Sequence, residues 1–202
     1  MSKSNWQGSG GWGAEEDYTN ILENNVMKLV PGEGDFAEDY ILQKIGTSVG
    51  LTHVHLGIRF TYAWDTVFES EDTEFGAVLR AHNFTAGTTF ASVASNAYVG
   101  RINKKTKTAT IGKRVNSSFV TLYSKFVGNN IFLDGTRNTF EFKCYGSTPE
   151  LELIINDSVI LAMTDSAPEP FNSGYPGLQC VAGNVYVTSV ILLEYTPTGT
   201  IS

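Results

Sequence analysis

Three groupings of side chains have the types and spacings that chemistry requires. The first is the acidic run Glu69-Ser70-Glu71-Asp72-Thr73-Glu74. Hydrolysis of a glycosidic bond needs two carboxylates at a fixed separation, and alternate positions of a strand supply it. Here no apolar residues alternate with the acids, so the run reads as a solvated loop without catalysis. The second grouping is His53-x-His55, two imidazoles on one face of a strand, with His82 as a third. Such a set suits zinc, but it lacks an obvious fourth ligand, and an outer sheet face is the plainer account. The third is a set of aromatics, Trp64, Tyr98, Tyr145 and Tyr175, with Asp65 beside Trp64. Exposed rings beside Asn and Asp groups stack on sugars, while a β core demands large rings for packing; each of the four is expected first as core and second as a carbohydrate contact. No G-x-S-x-G elbow supports Ser/His/Asp catalysis, and the Gly8–Gly13 stretch precedes no helix or lysine that would cradle phosphate.

Composition narrows the partners. The chain has 202 residues, 42% hydrophobic, 12% aromatic and 17% charged, with 20 glycines and a formal charge of −7. A chain of this length buries a full core without metal or disulfide. Only 14 Lys and Arg are spread along it, and the cluster Lys104-Lys105-Thr106-Lys107 with Lys113 and Arg114 suits the rim of a hairpin. Nucleic acid is therefore not an expected partner, since phosphate binding needs a concentrated basic footprint. No apolar run approaches the ~20 residues of a membrane-spanning helix, and Met1–Gly8 has no apolar stretch of a secretion signal. The two cysteines, Cys144 and Cys180, lie in apolar strand-like segments and read as buried thiols that pair only if their strands are neighbours. Sequons at Asn83, Asn116 and Asn156 carry no weight without secretion.

The elements that must position these groups are strands. In Thr52–Tyr62, Val54, Leu56, Ile58, Phe60 and Tyr62 alternate with His53, His55, Gly57, Arg59 and Thr61, which gives one buried face. Further strands are expected at 26–30, 39–45, 75–82, 89–95, 98–103, 108–115, 119–127, 130–134, 139–146, 150–156, 158–164, 177–182 and 185–195. Turn formers divide them, among them Asn103–Thr106, Asp134-Gly135, Gly146-Ser147 and Asn156-Asp157. Helical periodicity is nearly absent; Glu15–Asn25 is the best candidate and has too few apolar positions. The expected fold is an all-β antiparallel sandwich over 21–196, with closure into a barrel as the alternative. Residues 1–20, Gly/Ser-rich with Trp6, Trp12 and Tyr18, are expected as an N-terminal arm, and 197–202 as a polar tail.

The order of segments in the second half carries a resemblance. An aromatic strand at 138–147 precedes Asn156-Asp157, then Thr164-Asp165-Ser166, then Ser173-Gly174-Tyr175-Pro176-Gly177-Leu178, and a closing strand spans Val185–Leu193. This resembles the C-terminal half of concanavalin A-like lectin/glucanase jelly rolls, particularly the laminin-G-like members, over about residues 138–195. The earlier phrase "FGAVLRAHN" is similar to the "g.vlRa" strand of such domains. The resemblance implies a jelly-roll sandwich. It leaves calcium open, with Asp134, Asp157 and Asp165 as the carboxylates for a loop-rim site, although no acidic Ca-loop pattern fixes one. Within that phrase, Tyr175-Pro176-Gly177 is expected as a type II turn that aims the chain into a strand, with Gly174 at a positive φ or a close backbone approach.

Two functional expectations follow. Jelly rolls of this type occur in bacteriophage virion proteins, which are made in the host cytoplasm without a leader. The first expectation is thus a non-enzymatic virion structural protein (a capsid decoration, head fibre or tail-fibre module). Trp6, Trp12 and Tyr18 of its arm would attach it to a capsid or tail protein or to its own copies, aromatic anchors being favoured at interfaces. The alternative is a carbohydrate-binding or lectin-like domain, calcium-dependent or not, that takes host-surface glycans.

Overall fold

The computed structural model describes residues 6–8, 26–29, 38–43, 55–64, 73–82, 96–116, 118–166, 171–181 and 185–194. Thirteen strands appear among them: β1 (Trp6–Gly8), β2 (Val26–Leu29), β3 (Glu38–Gln43), β4 (Leu56–Trp64), β5 (Glu74–His82), β6 (Asn96–Asn103), β7 (Thr108–Val115), β8 (Ser118–Phe126), β9 (Asn138–Tyr145), β10 (Glu150–Ile155), β11 (Ser158–Thr164), β12 (Tyr175–Val181) and β13 (Val185–Glu194). They form two antiparallel sheets, a seven-stranded one in the order β1-β3-β12-β5-β6-β7-β8 and a six-stranded one in the order β11-β10-β9-β4-β13-β2. No α-helix occurs among the described residues. The fold is the expected all-β sandwich.

The core lies between the sheets, and alternation builds it. Leu56, Ile58, Phe60, Tyr62 and Trp64 of β4 are all buried, as the period of two requires. Facing rings fix their geometry: Phe60 stacks on Phe140 at 4.9 Å and meets Phe75 edge-on at 5.2 Å. Such arrangements add about 0.5–1.5 kcal/mol each beyond the area they bury. Gly100 of β6 is required by this packing, because a Cβ there would lie 2.5 Å from the Phe142 ring. The Asn156-Asp157 turn joins β10 to β11 with φ of 50° and 62°, the two positive values of a type I′ hairpin. Asn156 closes it by accepting from the Thr139 N–H and donating to Asn138 Oδ1.

Several expectations need correcting. Residues 130–134 are not a strand: Asn130–Phe132 forms a 3-10 turn. Its carbonyl at Ile131 accepts from Trp64 Nε1 at 3.0 Å and from the Tyr62 hydroxyl at 3.2 Å, while Phe132 stacks on Trp64 at 5.9 Å. The donors of two buried rings thus hold that backbone out of a ladder. The type II turn at Tyr175-Pro176-Gly177 is also absent, since these residues belong to β12 and Gly177 is not among the positive-φ glycines. In its place the register between β12 and β5 slips between Tyr175 and Gly177, at the one residue, Pro176, that has no N–H to give to a ladder. Gly174 does take a positive φ, 153°, and a Cβ there would sit 2.3 Å from the Arg80 backbone. Arg80 is the extra residue of β5 at that place, held at φ 53° and fully buried. Its Nη1 donates to the Phe171 carbonyl at 2.6 Å and its Nη2 to that of Gly146 at 3.0 Å.

At the N-terminus, Trp6–Gly8 pairs antiparallel with β3, so these three residues of the expected arm belong to the sheet. Trp12, Tyr18, the helical candidate 15–25 and the tail 197–202 lie outside the described residues.

Candidate functional site

Among the described residues, the expected site residues do not meet. Trp64 is 2% exposed and Tyr98 fully buried, so neither offers a face to a ligand; both are core. Tyr98 donates from its hydroxyl to Asp165 Oδ2 at 2.8 Å, and burial raises its pKa. Tyr145 is half-buried on the six-stranded sheet and donates to Glu152 at 3.1 Å; burial, then the Glu152 charge, raises its pKa. The Tyr175 side chain lies outside the described residues.

The calcium candidates disperse in the same way. Asp134 is paired with Lys104, Asp157 with Arg59 at 2.6 Å and Asp165 with Lys113 at 2.8 Å. Asp165 is buried inside the sandwich, not on a rim. His55 accepts at Nδ1 from the Gly146 N–H at 3.2 Å, while His53 and the His82 side chain lie outside the described residues. Among the described residues, no three of His, Cys, Asp and Glu come together as metal ligands would. Cys144 is a free, buried thiol on β9 in the six-stranded sheet, and Cys180 belongs to β12 in the other sheet, so the two strands are not neighbours.

A different constellation forms on the outer face of the seven-stranded sheet. Residues opposite one another in an antiparallel pair share a face. The register sets Gln179 against Gly76, Gly76 against Arg101, Arg101 against Thr110 and Thr110 against Ser124, one row across five strands. The row beside it contains Glu74 and Asn103. Glu74 is the last acid of the 69–74 run and is held on both oxygens: Arg101 Nη1 lies 2.6 Å from Oε2, and Asn103 Nδ2 donates to Oε1 at 3.0 Å. The Arg101 guanidinium lies 3.9 Å from the centroid of the half-buried Phe119 ring, with Arg114 6.0 Å from the same ring. Burial lowers the Arg114 pKa to about 10. Gly112 makes room for the ring, because a Cβ there would meet Phe119 Cζ at 2.3 Å. Gln179 is fully buried at the end of the row, and its amide finds no hydrogen-bond partner among the described residues.

This arrangement presents a carboxylate, a guanidinium and an amide locked to one another beside an aromatic ring, all on rigid strands. Fixed planar donors and acceptors next to a π-face can read the hydroxyl pattern and the C–H face of a polar ring compound. Both Glu74 oxygens are already engaged, which suits an anchoring acceptor better than a proton-transferring acid. Alternation in "YVGRIN" did place Arg101 and Asn103 on one face, opposite Tyr98 and Ile102. That Glu74 and Phe119 join them depends on interstrand register, for which the sequence has no local signal.

No protein-family model matches the chain, and no curated protein matches it by sequence. Solved structures match by fold. A protein of unknown function with a galectin-like fold from Bacillus subtilis aligns with a TM-score of 0.69 at 12% identity, covering 96% of this chain and 92% of its own. The carbohydrate recognition domain of Emp46p, in its potassium-bound form, gives 0.65 at 12% identity over 96% and 90%. The carbohydrate-binding module CBM66 from Bacillus subtilis gives 0.60 at 12% identity over 80% and 84%. At these identities the likeness is one of fold: a galectin-like, lectin-type jelly roll.

Proposed function

We propose that this domain binds carbohydrate on the outer face of its seven-stranded sheet and does not alter it chemically. The observation that carries the reading is the Glu74–Arg101–Asn103 cluster, fixed beside Phe119. The fold supports it, because two of the structural neighbours are described as a carbohydrate-binding module and a carbohydrate recognition domain. The reading as a virion structural protein has no observation in its favour among the described residues, and the glycan-binding alternative takes first place. In this reading Arg101 and Asn103 donate to ring hydroxyls, Glu74 orients both, and Phe119 covers an apolar sugar face. The test is a glycan array with the whole chain, followed by titration of each hit against Arg101→Ala and Phe119→Ala. Loss of binding in both variants, with the melting temperature retained, supports the site. An array without hits, or hits that bind both variants as tightly as the parent, overturns it.

A further inference from the structure

The polar face that carries Glu74 and Arg101 does not stop at Phe119. Opposite residues share a face, and the register sets Glu74 against Asn103, Asn103 against Thr108 and Thr108 against Phe126. Phe126 therefore stands on the outer face of the seven-stranded sheet, at the far end of β8 from Phe119. It is 65% exposed, the highest value of any large apolar side chain among the described residues, and it is not one of those that pack against the core. A lone exposed ring is ordinary on a protein surface. This one ends a row of polar groups that are already fixed.

Asn103 is held at both ends of its amide: Nδ2 donates to Glu74 Oε1 at 3.0 Å, and Oδ1 accepts from the Thr106 N–H at 2.8 Å. An amide has a second N–H and a second lone pair, and these point to further partners. The hydroxyls of Thr106 and Thr108 share a hydrogen bond of 2.7 Å, and those of Thr110 and Ser124 one of 2.9 Å. Along β8 the outer face reads Phe119, Thr121, Ser124, Phe126, with a ring at each end and hydroxyls between. The one charge of β8, Lys125, lies opposite Ala109 on the other face.

We propose that the glycan site extends along β8 and takes a linear, neutral oligosaccharide, with Phe126 as the second platform for a sugar ring. The inference rests on the glycan reading above and adds the length and charge of the chain to it. Phe119 pairs with Arg114 and Phe126 with Thr108, so the two rings stand about 20 Å apart along the strand. No single sugar spans that distance; a chain of several does. Hydroxyls both donate and accept, so Thr108, Thr110 and Ser124 match the hydroxyls along such a chain. The Arg101 guanidinium lies 3.9 Å from the Phe119 centroid and takes one face of that ring, while the Phe126 ring is the more open of the two. Both rings belong to one strand, so a long chain gains the second contact without the cost of ordering a loop.

The test uses the whole chain and a broad glycan array that includes the mono- to hexasaccharide members of linear neutral glucans, galactans, mannans and xylans. Hits from these series are titrated by calorimetry with the parent, Phe126→Ala, Phe119→Ala and Ile191→Ala, the last an exposed position on the other sheet. In the parent, affinity should rise about tenfold or more from the shortest to the longest member bound, as a second aromatic anchor would give. Phe126→Ala should lose that rise and bind the longest chain as weakly as the shortest. Phe119→Ala should weaken every length, and Ile191→Ala none. Equal affinity at all lengths, or a Phe126→Ala variant that keeps the parent's affinity for the longest chain, overturns the inference while the site at Phe119 stands. Hits that exclude every linear neutral chain also overturn the inference alone. An array without hits overturns the glycan reading and the inference with it. The parent's dependence on length needs no substitution, so it decides even where Phe126→Ala does not fold.

Discussion

Breaking the buried Asp165–Lys113–Tyr98 cluster should destabilise the domain far more than deleting it whole. Asp165 Oδ2 accepts from Lys113 Nζ and from the Tyr98 hydroxyl, each at 2.8 Å, and its own N–H donates to the Pro149 carbonyl at 2.9 Å. The two charged side chains are only 11% and 5% exposed, so this is an interior ion pair. Asp165→Leu leaves an ammonium and a phenol facing hydrocarbon, and Lys113→Met leaves a carboxylate without its cation. Each should cost about 3–5 kcal/mol, the usual result of removing one partner of a buried pair. In Lys113→Met/Asp165→Leu both charges of the pair are gone, and the Tyr98 hydroxyl left without its acceptor costs about 1–3 kcal/mol. The singles together would predict about 6–10 kcal/mol, so the coupling between the two sites should amount to several kcal/mol. Adding Tyr98→Phe should recover most of what remains. Urea unfolding followed by tryptophan fluorescence measures all four variants, against the 5–15 kcal/mol total expected of a domain. Single variants that cost under about 1 kcal/mol, or a double variant equal to the sum of the singles, would refute a cluster acting as one unit. Restoration of Lys113→Met by calcium would likewise refute the assignment of Asp165 to the interior pair.

Three further outcomes are expected. Gly112→Ala should push the Phe119 ring off Arg101, since its Cβ would lie 2.3 Å from that ring and 2.8 Å from the Val120 carbonyl; glycan affinity should fall at least tenfold while thermal melting shows the fold retained. Gln179→Leu should raise stability by about 1–2 kcal/mol in denaturant titration, because it removes a fully buried amide that has no partner among the described residues. Burial pushes the Cys144 thiol up to about 12, so the fold favours its neutral form. That contribution is complete below the unfolded value near 9 and is lost as pH rises toward 12. The stability gap between the parent and Cys144→Ala, measured by chemical denaturation, should therefore narrow steadily above pH 9.

The sequence made some of this legible and not the rest, for reasons visible in particular residues. Period-two alternation identified the buried face of β4 from Leu56 to Tyr62, and Asn156-Asp157 marked the β10–β11 hairpin through local turn chemistry. The segment 130–134 looked equally apolar, yet it is a 3-10 turn, because Trp64 and Tyr62 claim its carbonyl from almost 70 residues away. Tyr175-Pro176-Gly177 had the composition of a turn, and pairing with β3 and β5 drew it into a strand with a register slip at the proline. Among the aromatics named as sugar contacts, Trp64 and Tyr98 are core, the role expected of them first. A strand pattern does not say which face of which sheet meets solvent, and Trp64 and Tyr98 were drawn into the core.

By itself, then, the sequence determined the all-β class, most of the strands and the side chains that alternate inward, since these depend on neighbours two residues apart. Only the tertiary structure decided which polar residues meet. Glu74, Arg101, Asn103 and Phe119 belong to three strands, β5, β6 and β8, and converge through the registers of β5 with β6, β6 with β7 and β7 with β8. A slip of one residue in any of these pairings would send a strand's whole polar set to the other face. Register is fixed by the packing of the complete sandwich, and so the site is a property of the fold and not of any segment.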